Sequence, residues 1–314
     1  MFYKNSSNTN TSSLLIVGYL SAIAATLFWS GNFTIARSVT EHIPPVTLAF
    51  WRWTTAVLIL SPFAVKAFIK DWKIIKSNIF YLIATSILGV SLFNTLIYIA
   101  GHSTTAINMS LIAITFPVFV IIFSKFIYKE VITIHKGIGI LLVSMGVITL
   151  ITKGDLSAIK KISFSEGDLW MLLAAITFAV YSIFLKHKPV KLGTRSFQFS
   201  TFSIGLLILM PFYIFESSIT NFQIQSINQT TLYSILYLGI FASLFSYIFW
   251  GKAVELIGPT KSSMIYYTLP VFSGVSAYIF LGEVLEIIHM ISMLLILVGV
   301  LAALYDKKSN LDVT

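Results

Sequence analysis

The chain has 314 residues, of which 57% are hydrophobic and only 11% are charged, whereas soluble domains carry roughly 25% charged residues. A fold of this size cannot cover a water-facing surface with so few charges, so the composition excludes a soluble enzyme and a disordered protein. With no cysteine in the chain, disulfides and thiolate metal sites are excluded as well. A mean hydropathy of +0.89 predicts a polytopic membrane protein.

Apolar segments of the length needed to cross a bilayer recur along the whole chain. The chain is predicted to open with a flexible polar tail at 1–13 and to end with a tail at 306–314. A linker loop is predicted at 153–166. The ten predicted membrane spans cover residues 14–37, 45–65, 77–100, 104–127, 134–152, 167–187, 195–215, 229–250, 258–281 and 286–305.

The positive charges indicate how these spans are oriented. Most of the 21 lysines and arginines fall in the loops on one side of the predicted bundle, including both ends of the chain. Because cytoplasmic loops carry an excess of Lys and Arg, both termini are predicted to lie in the cytoplasm, with the chain in the inner or plasma membrane. The net charge of +9 is then a topology signal, and no nucleic-acid partner is expected.

The second half of the chain repeats the first at a shift of 153 residues. Thr115–Phe119 aligns with Thr268–Phe272, and Glu130 aligns with Glu283. Matches of Pro and Glu at a single gap-free shift indicate a duplication of sequence.

Each half, 14–152 and 167–305, contains five predicted spans, and five is an odd number. The second half must therefore enter the membrane upside down. The predicted fold class is an all-α polytopic membrane protein of ten transmembrane helices, built as two inverted five-helix repeats. Such repeats are the architecture of many secondary transporters. A duplicated structural bundle without transport is the alternative.

Several runs resemble a known family. Trp29–Phe33 in the first span, Leu48–Arg52 opening the second, and the Pro-to-Glu pattern that ends spans four and nine are similar to EamA-type members of the drug/metabolite transporter superfamily. The resemblance covers nearly the whole chain. It implies a ten-helix carrier that moves small metabolites, mostly outward. One departure is Lys129 before Glu130, where the family usually has Gly.

Arg52 is a charged residue inside an apolar span. A charge at bilayer depth costs at least about 2.5–3.5 kcal/mol, so it usually faces a cavity or a partner. One interpretation is an anchor or gate for a substrate carboxylate. The other is an arginine that snorkels to the headgroups or caps a neighbouring helix.

Amide, hydroxyl and indole side chains concentrate in spans one, three, four, six, eight and nine. They are predicted to line a substrate pathway, because small amphipathic ligands bind among aromatic faces and a few polar groups. Asn94 and Tyr247 coincide under the repeat shift. The alternative for any one of these residues is hydrogen bonding that only holds helices together. The predicted pathway consists of Trp29, Asn32, Arg52, Asn94, Tyr98, Tyr181, Tyr247 and Tyr267.

Two further pairs occupy equivalent positions in the repeats. Pro117 and Pro270 fall within spans four and nine, where a proline frees a carbonyl and kinks a helix. They are predicted to be hinges, with static bends as the alternative. Glu130 and Glu283 end the same spans and are predicted to cap helix ends or to pair with basic residues.

These observations predict a secondary transporter that exports small metabolites, amino acids or similar amphipathic solutes, by alternating access. Export of drugs, sugars or nucleotide-derived solutes is an alternative, and so is a membrane scaffold or channel. No P-loop or HExxH motif occurs, so no cofactor, metal or enzymatic activity is expected. The expected partners are a small-molecule substrate and the lipid bilayer, with a monomer and a homodimer both open.

Overall fold

The computed structural model describes residues 6–39, 42–104, 109, 112–152, 155, 165–220, 222–223, 227–272, 275 and 287–305. Within these ranges the fold is helical and contains no strand. The α-helices are α1 Ser6–Ser30, α2 Asn32–Val39, α3 Pro45–Lys70, α4 Trp72–Ser77, α5 Ile79–Ser86, α6 Phe93–Ser103, α7 Phe116–Tyr128, α8 Ile134–Thr152, α9 Glu166–Leu185, α10 Thr194–Thr220, α11 Gln229–Tyr237, α12 Ser246–Tyr266 and α13 Ile287–Leu304. Two π-helical segments, π1 Ile87–Leu92 and π2 Leu238–Phe245, join α5 to α6 and α11 to α12.

Six described helical stretches are long and apolar enough to cross a bilayer, and three shorter apolar helices accompany them. The predicted class, an all-α polytopic membrane protein with two inverted repeats, is confirmed. The long stretches are Ser13–Ser30, Pro45–Lys70, Ile79–Ser103, Glu166–Leu185, Thr194–Thr220 and Gln229–Tyr266, and the shorter helices are Phe116–Tyr128, Ile134–Thr149 and Met290–Leu304.

Among the differences between the helix boundaries and the predicted spans, three concern the first, eighth and ninth spans. Helix α1 begins at Ser6, inside the segment predicted as a tail. The first span then breaks at Gly31, where an added Cβ would lie 2.7 Å from the Tyr237 hydroxyl. Helix α12 carries the eighth span into the ninth and breaks only at Gly258, whose φ of 79° favours glycine.

The most extensive helix contacts all join one half of the chain to the other. Helix α8 packs on α13, α1 on α12, α3 on α10, and α6 on α9. The first helices of the two repeats, α1 and α9, therefore each pack mainly against helices of the other repeat. Two halves that are continuous in sequence are interleaved in space.

Carboxylates at both ends tie α3 to α10 in an antiparallel pair. At one end, Glu216 of α10 accepts hydrogen bonds from the Val46 and Thr47 amides, at 3.1 and 2.6 Å. At the other end, Ser196 of α10 donates to Asp71 at 2.6 Å. A carboxylate at a helix N-terminus satisfies free N–H groups and complements the helix dipole. Helices α3 and α10 occupy equivalent places in the two repeats. Because they run in opposite directions, the second repeat is inverted relative to the first.

A seam of small residues joins α8 to α13. An added Cβ on Gly139 would lie 2.5 Å from the Gly299 carbonyl oxygen, and one on Gly146 would lie 2.8 Å from that of Ser292. Under the 153-residue shift, the first contact maps onto the second. The two contacts are therefore related by the same two-fold axis, and close backbone approach explains the need for small residues here.

Pro117 and Pro270 each follow a mirrored turn. Pro117 lies in the first helical turn of α7, where its missing N–H costs nothing. The Thr115 amide bonds to Ile112 at 2.9 Å, and the Thr268 amide bonds to Ile265 at 2.9 Å. The interruption thus lies directly before each proline, where its missing N–H breaks helical bonding. The hinge role of the two prolines stays a prediction.

Candidate functional site

Arg52 lies on α3 with its side chain fully buried. Nε donates to Ser243 Oγ at 2.6 Å, and Nη2 donates to the Ala242 carbonyl at 2.9 Å. Nη1 points to Asn94 Oδ1 at 2.7 Å and to the Tyr98 hydroxyl at 2.5 Å. We call these partners, together with Asn32, the arginine cage.

Every partner of the guanidinium in this cage is a neutral oxygen. Asn32 Oδ1, the most distant, lies 3.4 Å from Nη1. Ion pairs in the described part of the chain involve Glu130 and Glu255, and none involves Arg52. Full burial excludes the snorkelling interpretation, since the side chain does not reach the headgroups. The site therefore holds a positive charge whose hydrogen bonds are met without a counter-charge.

Asn94 links Arg52 to the second repeat. Its Oδ1 accepts from Arg52, so its Nδ2 is free to donate to the Tyr247 hydroxyl at 2.9 Å and to the Gly89 carbonyl at 3.3 Å. Tyr247 in turn donates to the same Gly89 carbonyl. The donor and acceptor pattern thus fixes the orientation of the Asn94 amide.

An aromatic wall adjoins the arginine cage. Trp29 donates through Nε1 to the Ala242 carbonyl at 2.9 Å. Its ring lies 5.2 Å from that of Phe178, 5.9 Å from that of Tyr247 and 5.3 Å from that of Trp250. Edge and tilted contacts at these distances make a firm apolar surface. The combination places a buried cation close to a set of packed aromatic rings.

The predicted pathway residues are not all brought together. Trp29, Asn32, Asn94, Tyr98 and Tyr247 surround Arg52. The Tyr181 ring lies beside this group, 5.7 Å from that of Tyr247, and it presses against Gly89.

Tyr267 lies elsewhere. It packs in a separate apolar cluster, and its buried hydroxyl has no hydrogen-bond partner among the described residues. The neighbouring Tyr266 is the residue that reaches the aromatic wall, 6.1 Å from Trp29.

Glu130, the predicted helix-end residue that the structure describes, makes its contacts outside the cage. Glu130 accepts from the Thr260 hydroxyl at 2.7 Å, where the ninth span begins, and lies 4.0 Å from Lys136 Nζ. Lys129, where the resembling family has Gly, still adopts the left-handed conformation with φ 56°. Glu283 lies outside the described residues.

Sequence reasoning missed the two backbone acceptors, Gly89 and Ala242. Both lie in π segments at equivalent places, since a shift of 153 carries one onto the other. A π turn leaves carbonyls outside the usual helical pattern, and π turns occur frequently at functional sites. The small residues themselves were the only available signal. Ser243, which follows Ala242 directly in sequence and accepts from Arg52, is not among the predicted pathway residues either.

A cavity of about 420 Å³ opens on the side predicted to be cytoplasmic. Lys188 and Glu255, 3.4 Å apart, stand at its wall together with Gly251. Gln198 lines it as well and donates to the Tyr247 carbonyl at 3.0 Å. Gln198 thereby connects the cavity wall to Tyr247, whose hydroxyl accepts a hydrogen bond from Asn94 of the arginine cage.

Known proteins resemble this chain over nearly its full length. An uncharacterized transporter, YyaM of Bacillus subtilis (strain 168), is 26% identical over 287 residues, covering 91% of this chain and 92% of that relative. An uncharacterized transporter of Archaeoglobus fulgidus is also 26% identical and covers 79% of this chain and 84% of its own. One solved crystal structure superposes with a TM-score of 0.70 at 17% identity, covering 93% of this chain and 96% of the other, which shows the shared fold.

The model of the EamA-like transporter family matches residues 16–152 and 165–305. These two segments include the arginine cage and both π segments. The matching family and the relatives named as transporters indicate a transporter rather than an enzyme. With most of its length matched, this chain belongs to the EamA-like transporter family.

Proposed function

We propose that this transporter exports small amphipathic solutes that carry a carboxylate, such as amino acids. One observation carries the proposal: Arg52 is fully buried, and its described partners are all neutral. Neutral oxygens satisfy the geometry of a guanidinium but leave its charge in a region that penalises charge. A carboxylate offers two acceptors that match the guanidinium fork and supplies the missing negative charge.

The aromatic wall supports the amphipathic part of the proposal. Trp29, Phe178 and Trp250 pack against one another, and Trp29 donates to the same Ala242 carbonyl as the guanidinium. Rings at this position would bury the apolar end of a solute while Arg52 holds its carboxylate. Inverted repeats that meet at this place supply the alternating access. In the proposed orientation both termini lie in the cytoplasm, and the Lys188–Glu255 cavity is the cytoplasmic approach.

The proposal is tested by flux in proteoliposomes with matched pairs of solutes. Each pair consists of a radiolabelled amino acid and its carboxamide, for example phenylalanine and phenylalaninamide, which differ only in the carboxylate. We expect transport of the carboxylate member of at least one pair and no transport of its amide. Arg52→Met replaces the guanidinium with an unbranched apolar side chain. We expect this variant to lose that flux while the protein still elutes as a folded species in size-exclusion chromatography.

Equal flux of acid and amide, or unchanged flux in the Arg52→Met variant, would remove the carboxylate from the proposal. Flux of neutral sugars or nucleosides alone in a wider panel would favour another substrate class. Stepwise single-channel currents would favour a channel.

A further inference from the structure

The two π segments occupy equivalent places in the repeats and are bridged by side chains. A π turn holds one more residue than an α turn, and it persists only where other contacts compensate for its poorer packing. Gly89 in π1 and Ala242 in π2 each present a carbonyl that accepts bonds from side chains. In a regular α-helix the backbone donor to each of these carbonyls would be the amide four residues further on.

Each of the two carbonyls receives two side-chain donors. The Gly89 carbonyl accepts from the Tyr247 hydroxyl and from Asn94 Nδ2. The Ala242 carbonyl accepts from Arg52 Nη2 and from Trp29 Nε1, both at 2.9 Å. These four donors are well buried, so water does not replace them. They therefore stabilise the π geometry relative to the α geometry in both segments.

One unbroken chain of hydrogen bonds runs from the first carbonyl to the second. Gly89 is bonded to Tyr247, which is bonded to Asn94, at 2.9 Å. Asn94 is bonded to Arg52, at 2.7 Å, and Arg52 to Ala242. The chain crosses between the repeats and ends on counterpart residues. A change in either π segment therefore alters the acceptors available to the other.

We propose that π1 and π2 form one conformational switch, coupled through this chain of hydrogen bonds. An anionic group bound to Arg52 would compete with Asn94 and Ala242 for the Nη1 and Nη2 hydrogens and so change the state of the switch. This last step rests on the proposed function. Losing those bonds would remove one of the two side-chain donors to the Ala242 carbonyl and release the Asn94 amide that donates to the Gly89 carbonyl. Both carbonyls would then be more readily available for α-helical bonding. Substrate binding would thus change α6 and α12 together, on both sides of the two-fold axis.

The coupling itself can be tested without any ligand, so its failure is distinct from failure of the proposed function. The measurement is amide hydrogen exchange by mass spectrometry on the protein in lipid nanodiscs. The perturbation is Trp29→Phe, which removes one bond at the Ala242 end. The readout is the peptide covering residues 85–95, at the other end of the bridge. We expect its exchange to rise about three- to tenfold, the effect of losing about one net hydrogen bond on a local opening equilibrium.

Tyr247→Phe removes one of the two links between Asn94 and the Gly89 carbonyl and leaves only the direct bond at 3.3 Å, so it supplies the second half of the cycle. In that background, Trp29→Phe should produce a smaller rise in the 85–95 peptide. Tyr237→Phe is the matched control, because it also removes a tyrosine bond to a carbonyl, that of Phe28 at 2.9 Å, from the helix that precedes π2. It should leave the 85–95 peptide unchanged.

Helix α8 serves as the internal reference for folding. If Trp29→Phe also raises exchange in α8, the Ser243→Ala variant is used instead, because it is a milder perturbation at the same end of the bridge. An unchanged 85–95 peptide in the folded Trp29→Phe or Ser243→Ala variant would overturn the coupling. So would an equal rise from the same perturbation with and without Tyr247→Phe.

Discussion

Asn94 and Tyr247 are repeat counterparts, 153 residues apart, and they are hydrogen-bonded to each other at 2.9 Å. A residue can touch its own counterpart only next to the axis that relates the two repeats. This contact therefore places the arginine cage at the centre of the inverted duplication.

The planar shape of the Arg52 guanidinium should matter as much as its charge. Lysine keeps the charge but cannot reach Ser243, Asn94 and Ala242 from one nitrogen. We expect Arg52→Lys to lower carboxylate flux by about tenfold or more, since at least one hydrogen bond to a charged group is lost. The measurement is initial flux in proteoliposomes, normalised to reconstituted protein.

Arg195→Lys makes the same exchange at the start of α10, outside the cage, and should transport as the native chain does. Full activity of Arg52→Lys would show that only the charge is needed.

The turn after α7 should become more stable with glycine. Lys129 adopts φ 56° and ψ 28°, a conformation that costs a residue with a Cβ about 1–2 kcal/mol. We expect Lys129→Gly to raise the midpoint of thermal unfolding by stabilising the fold by about 1 kcal/mol. Lys125→Gly, within the helix, should lower it, because glycine in a helix interior costs about 1 kcal/mol relative to alanine. A lower midpoint for Lys129→Gly would contradict the assigned turn.

Alanine substitutions at two neighbouring glycines of α8, which packs on α13, should change the stability of the protein in opposite directions. A Cβ on Gly139 would lie 2.5 Å from both the Ala303 Cβ and the Gly299 carbonyl oxygen, whereas one on Gly137 meets nothing within 4 Å. We expect Gly139→Ala to destabilise the protein by about 1–3 kcal/mol through overpacking. Gly137→Ala should stabilise it by about 0.5–1 kcal/mol through helix propensity. Thermal unfolding in one detergent compares both, and equal shifts would show that the helices do not pack closely here.

The cavity beside Gln198 should tolerate little filling. Gly251 lies on its wall, and its added Cβ would lie 3.4 Å from Gln198 Nε2, so a larger side chain must point into the open space. We expect Gly251→Phe to lower solute flux on the order of tenfold by occupying the approach to the cage. Gly137→Phe, in open space on α8, is the matched control and should keep its flux. Unaltered transport by Gly251→Phe would place the approach elsewhere.

The sequence alone determined the class of this protein and its duplication. Hydropathy over windows of about 20 residues and a single repeat shift are local properties that need no tertiary contact to read. The same shift paired Asn94 with Tyr247, and the rarity of charge inside a span marked Arg52.

Only the tertiary structure decided what each polar side chain does. It interleaved the two halves, so that Trp29 of the first repeat bonds to Ala242 of the second. It left Tyr267 in a separate apolar cluster and made backbone carbonyls in two π segments part of the site. The physical reason is that the rotation of each helix and the position of each π turn depend on packing between spans far apart in sequence. The one extra residue in a π turn changes neither the composition nor the mean hydropathy of its span, so neither property predicts it.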